Sequence, residues 1–177
     1  MARDRSKQRY TGKPVAALIA CASVLLFSAS YSAPSDLLGS KAPDFVLRSV
    51  ADGNVRLSEY RSDVVVLNFW SDWCGKCSHL LPVLNNLKAQ HENAGLRVIA
   101  IDVNGEARSA TQAVKELGID FPLLLDERQQ VSRTYDLPRL PVTLLIDREG
   151  TVRFVQQGAT GEDIAKLTAE VAAVVAQ

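Results

Sequence analysis

The chain has 177 residues, of which 47% are hydrophobic and 23% are charged, a balance typical of one globular domain with a terminal extension. The formal net charge is zero, but residues 1–33 hold five basic residues and one acid, which leaves 15 basic and 19 acidic residues in the remainder. This acidic remainder argues against nucleic acid as a partner of the folded part.

The first 33 residues have a basic leader followed by an apolar stretch over 15–31. This layout is typical of a secretory signal or of an uncleaved membrane anchor, and the sequence leaves both open. In either case the basic end stays inside the cell and the domain is exported. A buried N-terminal helix is disfavoured because the polar residues do not leave one face, and Cys21 is interpreted as a small apolar residue rather than a lipidation site. The predicted parts are a leader over 1–33, a linker over 34–43 and a domain over 44–177.

The domain begins with the pattern of a β-hairpin. The runs "DFVLRSV" and "VRLSEY" flank a turn around Asp52-Gly53-Asn54. The next run, "VVVLNFW" at 64–70, is apolar except for Asn68, as expected for a central strand that is covered on both faces.

A helical pattern follows from Cys74 to about His91, and Pro82 inside it is expected to kink the helix. A second buried strand is predicted at 96–102. A helix at 109–118, closed by Gly118, a short extended piece at 121–126 and a helical turn near "RQQVSRTY" are predicted next. Two strands at 142–147 and 151–157 follow, joined by "REG". The last predicted helix starts at about Thr160, with Asp163 in a capping box. Their order predicts a mixed sheet between helices.

The predicted domain has two cysteines, Cys74 and Cys77, with two residues between them. At the start of a helix, the helix dipole and the free backbone N–H groups favour the thiolate. We therefore predict Cys74 as the nucleophile and Cys77 as the thiol that resolves a mixed disulfide. Gly75 is expected to open the backbone to a partner, and the charge of Lys76 is expected to stabilise the thiolate.

Three other interpretations of the pair are disfavoured. A structural disulfide over so short a loop would restrain little of the unfolded chain. A zinc site needs four ligands, but there is no second cysteine pair, and His79 and His91 are the only histidines. Covalent haem needs a histidine directly after the second cysteine, where Ser78 stands. We therefore predict no metal and no cofactor.

Three motifs resemble the TlpA/ResA-like thiol-disulfide oxidoreductases, a branch of the thioredoxin-fold superfamily found in bacterial envelopes. They are "APDFVL", "VVVLNFWSDWCGKC" and "YDLPRLPVTLLIDREGTVRF", and the resemblance covers about residues 37–175. It implies an α/β thioredoxin-like fold, with a mixed central sheet flanked by helices and an N-terminal β-hairpin. It also implies reduction of protein thiol/disulfide substrates, fed by a membrane electron-donor protein, in the periplasm or on the extracytoplasmic face of the inner membrane.

The same resemblance implies roles for further residues around the cysteines. Pro141, rather than Pro138, corresponds to a cis-proline beside the cysteines, and the backbone of Leu140 would then pair with an extended substrate segment. Trp73 is expected to shape the rim of the site, whereas Trp70 is expected in the core. Asn68 lies where cytosolic thioredoxins have a buried acid, and a purely structural buried amide is the alternative.

Departures from the family pattern leave the substrate open. The cytochrome c maturation reductases have a proline or an acid between the cysteines and a glutamate soon after, where this chain has Gly75, Lys76 and Leu80. Cytochrome c maturation is therefore one candidate among several. A peroxiredoxin-like peroxidase is an alternative, although Leu67 stands where its motif needs proline. A copper-handling module is the other alternative, although such modules space their cysteines by three residues and this chain spaces them by two.

Overall fold

The computed structural model describes residues 34–51 and 53–177. The predicted leader and Asp52 of the predicted hairpin turn lie outside the described residues. Within the described residues, no helix has the length and the apolar composition needed to cross a bilayer.

Seven strands form one mixed sheet in the order β2-β1-β5-β4-β3-β6-β7. The strands are β1 (Val46–Ser49), β2 (Asn54–Arg56), β3 (Val64–Trp70), β4 (Leu96–Asp102), β5 (Leu123–Leu125), β6 (Val142–Ile146) and β7 (Val152–Gln157). The helices are α1 (Leu80–His91), α2 (Ala107–Leu117), α3 (Gln130–Thr134) and α4 (Gly161–Val175). Strands β3, β4 and β5 are parallel, and the other pairings are antiparallel. The predicted mixed sheet and N-terminal hairpin are confirmed.

Helices α1, α2 and α4 pack on one face of the sheet, which we call the thiol face because buried Cys77 belongs to the same core cluster. The crossovers β3-α1-β4 and β4-α2-β5 run in the same direction across the sheet, and right-handed crossovers of this kind place both helices on one side. The side chains of β3 alternate, so that Val64, Val66 and Trp70 face these helices.

The opposite face is covered by α3 and by the segment before β1. Tyr135 lies at its centre with 1% of its surface exposed, and its ring centroid is 5.0 Å from that of Phe69. The Tyr135 hydroxyl donates a hydrogen bond of 2.6 Å to the carbonyl oxygen of Pro43. This residue therefore ties α3 to the chain that enters the domain.

Part of the predicted linker is attached to the sheet. The N–H of Gly39 donates to the carbonyl of Val152, and the N–H of Val152 donates to the carbonyl of Ser40. Ala42 is buried, and its N–H donates to Gly150. Residues 39–42 thus extend the edge beside β7, while the boundary of the leader stays a prediction.

The helix after β3 begins later than the sequence predicts. The pattern predicts a start at Cys74, but α1 begins at Leu80, because the residues between form successive turns that close over three residues instead of four. Pro82 therefore lies in the first turn of α1 and not in the helix interior, where the sequence pattern placed it. This proline is the third helical residue, where the backbone has no intrahelical hydrogen bond to lose.

Other predictions from local patterns are confirmed. Strands β3 and β4 match the predicted 64–70 and 96–102. Helix α4 has Thr160 as its N-cap in a complete capping box with Asp163. In the hairpin at the N-terminal end, β2 stops at Arg56, and a 3-10 helix replaces the rest of the predicted strand.

Candidate active site

The two cysteines lie in the turns that follow β3. The N–H of Cys74 donates to the carbonyl of Ser71, the N–H of Cys77 to that of Cys74, and the N–H of Leu80 to that of Cys77. A disulfide joins Cys74 and Cys77, with an S–S distance of 2.04 Å and 5.3 Å between the Cα atoms. Neither cysteine lies within α1, so the predicted stabilisation of Cys74 by the first turn of that helix is not supported.

The two sulfurs differ in their access to solvent. Cys77 is fully buried, with 0% of its surface exposed, whereas Cys74 is half-buried. The residues around Cys74 are open: Trp73 is 68% exposed, and Gly75 and Lys76 are exposed as well. A large partner can therefore reach Cys74 but not Cys77.

The loop before Cys74 is held by Asp72. Its carboxylate accepts hydrogen bonds from the N–H of Trp73 at 2.8 Å and from the hydroxyl of Ser71 at 3.2 Å. Ser71 is fully buried. These contacts anchor the base of the turn and leave the Trp73 ring exposed.

Pro141 lies on the other side of the same turn. The peptide bond between Leu140 and Pro141 is cis, as the resemblance implies. The register pairs Val142 with Phe69, so Pro141 stands beside Trp70, where β3 ends and the cysteine turn begins. Pro141 is buried, and its carbonyl accepts a hydrogen bond of 2.9 Å from Gly158. Leu140 is half-buried and packs against both core clusters.

Asn68 is fully buried on the thiol face. Its amide nitrogen donates to the hydroxyl of Thr143 at 2.9 Å and to the carbonyl of Val142 at 3.4 Å. Its Oδ1 atom has no protein partner among the described residues. The alternative, a purely structural buried amide, therefore accounts for the amide nitrogen of Asn68 but not for its Oδ1 atom.

Sequence reasoning missed Asp102, the last residue of β4. The register pairs it with Trp70, and 0% of its surface is exposed. Burial raises the pKa of Asp102 to about 6, partly offset by the backbone N–H of Asn104 and reinforced by the charge of Asp72. The available signal was an acid at the end of the apolar run "LRVIAID", beside the strand that leads to the cysteines.

Trp70 is buried as predicted, with 2% of its surface exposed. Its indole N–H has no protein hydrogen-bond partner among the described residues. Across those same residues, no cluster of three or more His, Cys, Asp and Glu side chains could hold a metal ion.

Comparison with known proteins agrees with this geometry. The family model of the AhpC/TSA family matches residues 38–155. The thiol-disulfide oxidoreductase ResA of Geobacillus kaustophilus is 38% identical over 128 residues, which cover 72% of this chain and 74% of that protein. ResA of Bacillus subtilis is 34% identical over 126 residues, which cover 71% and 70% of the two chains.

Solved structures are similar over most of the chain. A Chlorobium tepidum protein described as a thiol:disulfide interchange protein DsbE superimposes with a TM-score of 0.74 at 31% identity, over 78% of this chain and 97% of that one. The thioredoxin domain of a Bacteroides vulgatus oxidoreductase superimposes with a TM-score of 0.67 at 20% identity, over 75% and 96% of the two chains, which supports the fold alone. The predicted thioredoxin-like fold is confirmed, and the chain belongs to the AhpC/TSA family and, within it, to the ResA-type thiol-disulfide oxidoreductases.

Proposed function

We propose that this oxidoreductase exchanges disulfides with exported protein substrates, with Cys74 as the attacking thiol and Cys77 as the resolving thiol. The observation that carries the assignment is the disulfide between a half-buried Cys74 and a fully buried Cys77 at the end of β3. Thiol–disulfide exchange needs access for the attacking sulfur, and Cys74 has it.

In the reducing direction, the Cys74 thiolate attacks one sulfur of a substrate disulfide. A mixed disulfide forms, and the other substrate sulfur leaves as a thiolate. Cys77, after losing its proton, then attacks the sulfur of Cys74, and the second substrate sulfur leaves. Two electrons pass from the cysteine pair to the substrate, and the observed Cys74–Cys77 disulfide is the product.

The surface around Cys74 suits an extended peptide. Trp73 offers an exposed apolar ring, and Leu140 lies before the cis peptide bond beside the end of β3. An extended substrate segment would pair with the backbone at Leu140, as strands do when they add to an exposed edge, while Pro141 itself stays buried. Gly75 leaves room for the substrate backbone, and Lys76 adds positive charge near the attacking sulfur.

The expected direction is reduction, driven by a membrane electron-donor protein in the periplasm or on the extracytoplasmic face of the inner membrane. The layout of residues 1–33 and the similarity to ResA proteins support this placement. Cytochrome c maturation is one candidate role. Asn68, fully buried within β3, is expected to tune the reactivity of the pair.

A peroxidase is the second candidate because the matching family model is that of AhpC/TSA. The geometry disfavours it. Leu67, which stands at the motif's proline position, lies inside the fully buried strand β3 and not in a loop. Consumption of hydrogen peroxide at a rate comparable with disulfide reduction would favour the peroxidase.

Single cysteine variants test the proposal. We expect Cys74→Ser to abolish reduction of insulin disulfides, and Cys77→Ser to capture substrates as stable mixed disulfides in the native envelope, where they can be identified. The matched control is Ser78→Ala, which changes a neighbouring hydroxyl and is expected to behave as wild type. Capture by Cys74→Ser instead of Cys77→Ser would reverse the two roles.

A further inference from the structure

Three buried polar atoms in the described part of the chain have no protein hydrogen-bond partner: Oδ1 of Asn68, Nε1 of Trp70 and Oδ2 of Asp102. All three belong to residues on the thiol face. Asn68 and Trp70 have the same parity along β3 as Val66, and Asp102 has the same parity along β4 as Ala100; Val66 and Ala100 pack in the thiol-face core. Buried polar groups are usually paired, so their concentration on one face calls for a chemical reason.

Asp102 lies beside the start of the cysteine turn. Trp70 and Asp102 are paired in the parallel register of β3 and β4, and the N–H of Val103 donates to the carbonyl of Trp70. The chain leaves β3 at Trp70, and the buried resolving thiol of Cys77 shares a core cluster with that tryptophan. The carboxyl ends of the parallel strands therefore place the acid and the thiol on one face at one end of the sheet.

Only one of the two carboxylate oxygens of Asp102 has a hydrogen-bond partner among the described residues. Oδ1 accepts a hydrogen bond of 3.0 Å from the N–H of Asn104. Asp126, which follows the next parallel strand, uses both of its oxygens: they accept from the backbone N–H groups of Gln130, Val131 and Ser132 and from the hydroxyl of Ser132. Both carboxylate oxygens of Asp126 thus cap α3, whereas Oδ2 of Asp102 has no protein partner among the described residues.

A buried thiol needs a proton acceptor before it can attack. Burial disfavours the thiolate, and Cys77 has no exposed surface from which bulk water could take its proton. Because burial raises the pKa of Asp102 to about 6, its carboxylate is ionised at neutral pH and is a stronger base than an ordinary aspartate. A base of this strength suits proton transfer near neutral pH.

We propose that Asp102 accepts the proton of Cys77 when the mixed disulfide is resolved. The inference rests on the proposed function. The S–H bond of Cys77 breaks and its proton passes to Oδ2 of Asp102. The sulfur of Cys77 bonds to that of Cys74, and the bond between Cys74 and the substrate breaks, so that the substrate leaves as a thiolate. When the disulfide is reduced again, Asp102 returns the proton.

The groups around Asp102 are consistent with this role. Asp72, in the loop after β3, adds negative charge, and the backbone N–H groups of Asn104, Gly105 and Glu106 favour the ionised form. Asp126 caps α3 on the opposite face, and Cys77, in the turn before α1, is buried in the core cluster of the thiol face. The pH dependence of resolution is therefore expected to follow Asp102, with Asp72 as the neighbouring charge.

Release of thionitrobenzoate from dithionitrobenzoate, a chromogenic aromatic disulfide, tests the proposal with the reduced full chain. The first equivalent reports attack by Cys74, and the second reports resolution by Cys77. We expect the second phase of the wild type to rise through an inflection near pH 6, the pKa of Asp102. Asp102→Asn is expected to remove this inflection and to slow the second phase roughly hundredfold at pH 7, with the first phase unchanged.

Two further variants separate chemistry from structure. Asp102→Glu keeps a carboxylate and is expected to restore the inflection. Asp126→Asn makes the same change at a buried acid whose oxygens cap α3 on the opposite face, and it is expected to keep the wild-type pH profile.

An unchanged second phase in Asp102→Asn overturns the proposal. If that variant does not fold, a wild-type second phase without an inflection near pH 6 overturns it just as well. Failure of the wild type to release either equivalent instead contradicts the proposed function, and this inference with it.

Discussion

The two faces of the sheet differ in how completely their buried polar groups are hydrogen-bonded. On the opposite face, the Tyr135 hydroxyl is paired with Pro43, and both oxygens of Asp126 are used in capping α3. On the thiol face, atoms of Asn68, Trp70 and Asp102 have no protein partner among the described residues. An unpaired buried polar group costs about 1–3 kcal/mol, so the thiol face carries a cost in stability that the opposite face does not.

The contrast suggests that one face serves mainly stability and the other serves the chemistry of the cysteines. Polar groups that are fully paired hold elements together, and their removal should lower stability without changing the chemistry. Polar groups left unpaired beside the cysteines remain free to bind or pass a proton. Substitutions on each face can therefore break or sharpen this comparison.

The largest expected effect is on the opposite face. Tyr135→Ala removes a buried aromatic ring that packs on Phe69, and such a loss costs about 3–5 kcal/mol. Urea unfolding of the oxidised protein measures it. The rate of disulfide exchange per folded molecule should stay at the wild-type value. A large change in that rate would show that the two faces are not separate in function.

The next effect is on the thiol face and has the opposite sign. The pKa of Asp102 is raised from 3.8 to about 6 in the folded protein, so between these values the folded state binds more protons than the unfolded state, and stability falls as pH rises. Above pH 6 the loss is roughly 3 kcal/mol, from about 1.4 kcal/mol per unit of pKa.

Asp102→Asn removes that penalty. We expect the variant to be more stable than wild type at pH 8 and to lose most of the slope between pH 4 and pH 6 in urea unfolding. Asp126→Asn, whose carboxylate is fully hydrogen-bonded, should instead be less stable than wild type at pH 8. A slope that persists in Asp102→Asn would show that another group titrates in this range.

A smaller effect is expected at the partner of Asn68. Thr143→Val removes the hydroxyl that accepts a hydrogen bond of 2.9 Å from the amide nitrogen of Asn68. A buried donor left without a partner lowers the free energy of unfolding by about 2 kcal/mol. Asn68→Leu combined with Thr143→Val should recover much of this loss, because neither partner then remains unpaired. Simple additivity of the two substitutions in thermal unfolding would contradict the pairing.

The smallest effect returns to the opposite face. Tyr135→Phe keeps the ring and removes only the hydrogen bond to Pro43, so we expect a loss of about 1 kcal/mol. Comparison with Tyr135→Ala separates ring packing from the hydrogen bond. A loss as large as that of the alanine variant would mean that the hydroxyl, rather than the ring, anchors α3.

The amino-acid sequence by itself determined the features that depend on local patterns. Mainly apolar runs marked β3 and β4, and Thr160 with Asp163 marked the start of α4. The Cys-x-x-Cys spacing and the motif around Pro141 were enough to indicate thiol–disulfide chemistry. These signals are local because strand burial and helix capping act over a few residues.

Tertiary structure decided what depends on contacts between distant segments. The start of α1 at Leu80 instead of Cys74 follows from the turns that join β3 to the helix and carry the disulfide. Residues 39–42 were attached to the sheet by pairing with a segment more than a hundred positions away. Asp102 became a candidate for the site only when the register of β3 and β4 placed it beside Trp70. Strand register and burial are properties of the assembled sheet, so one strand's own sequence does not contain them.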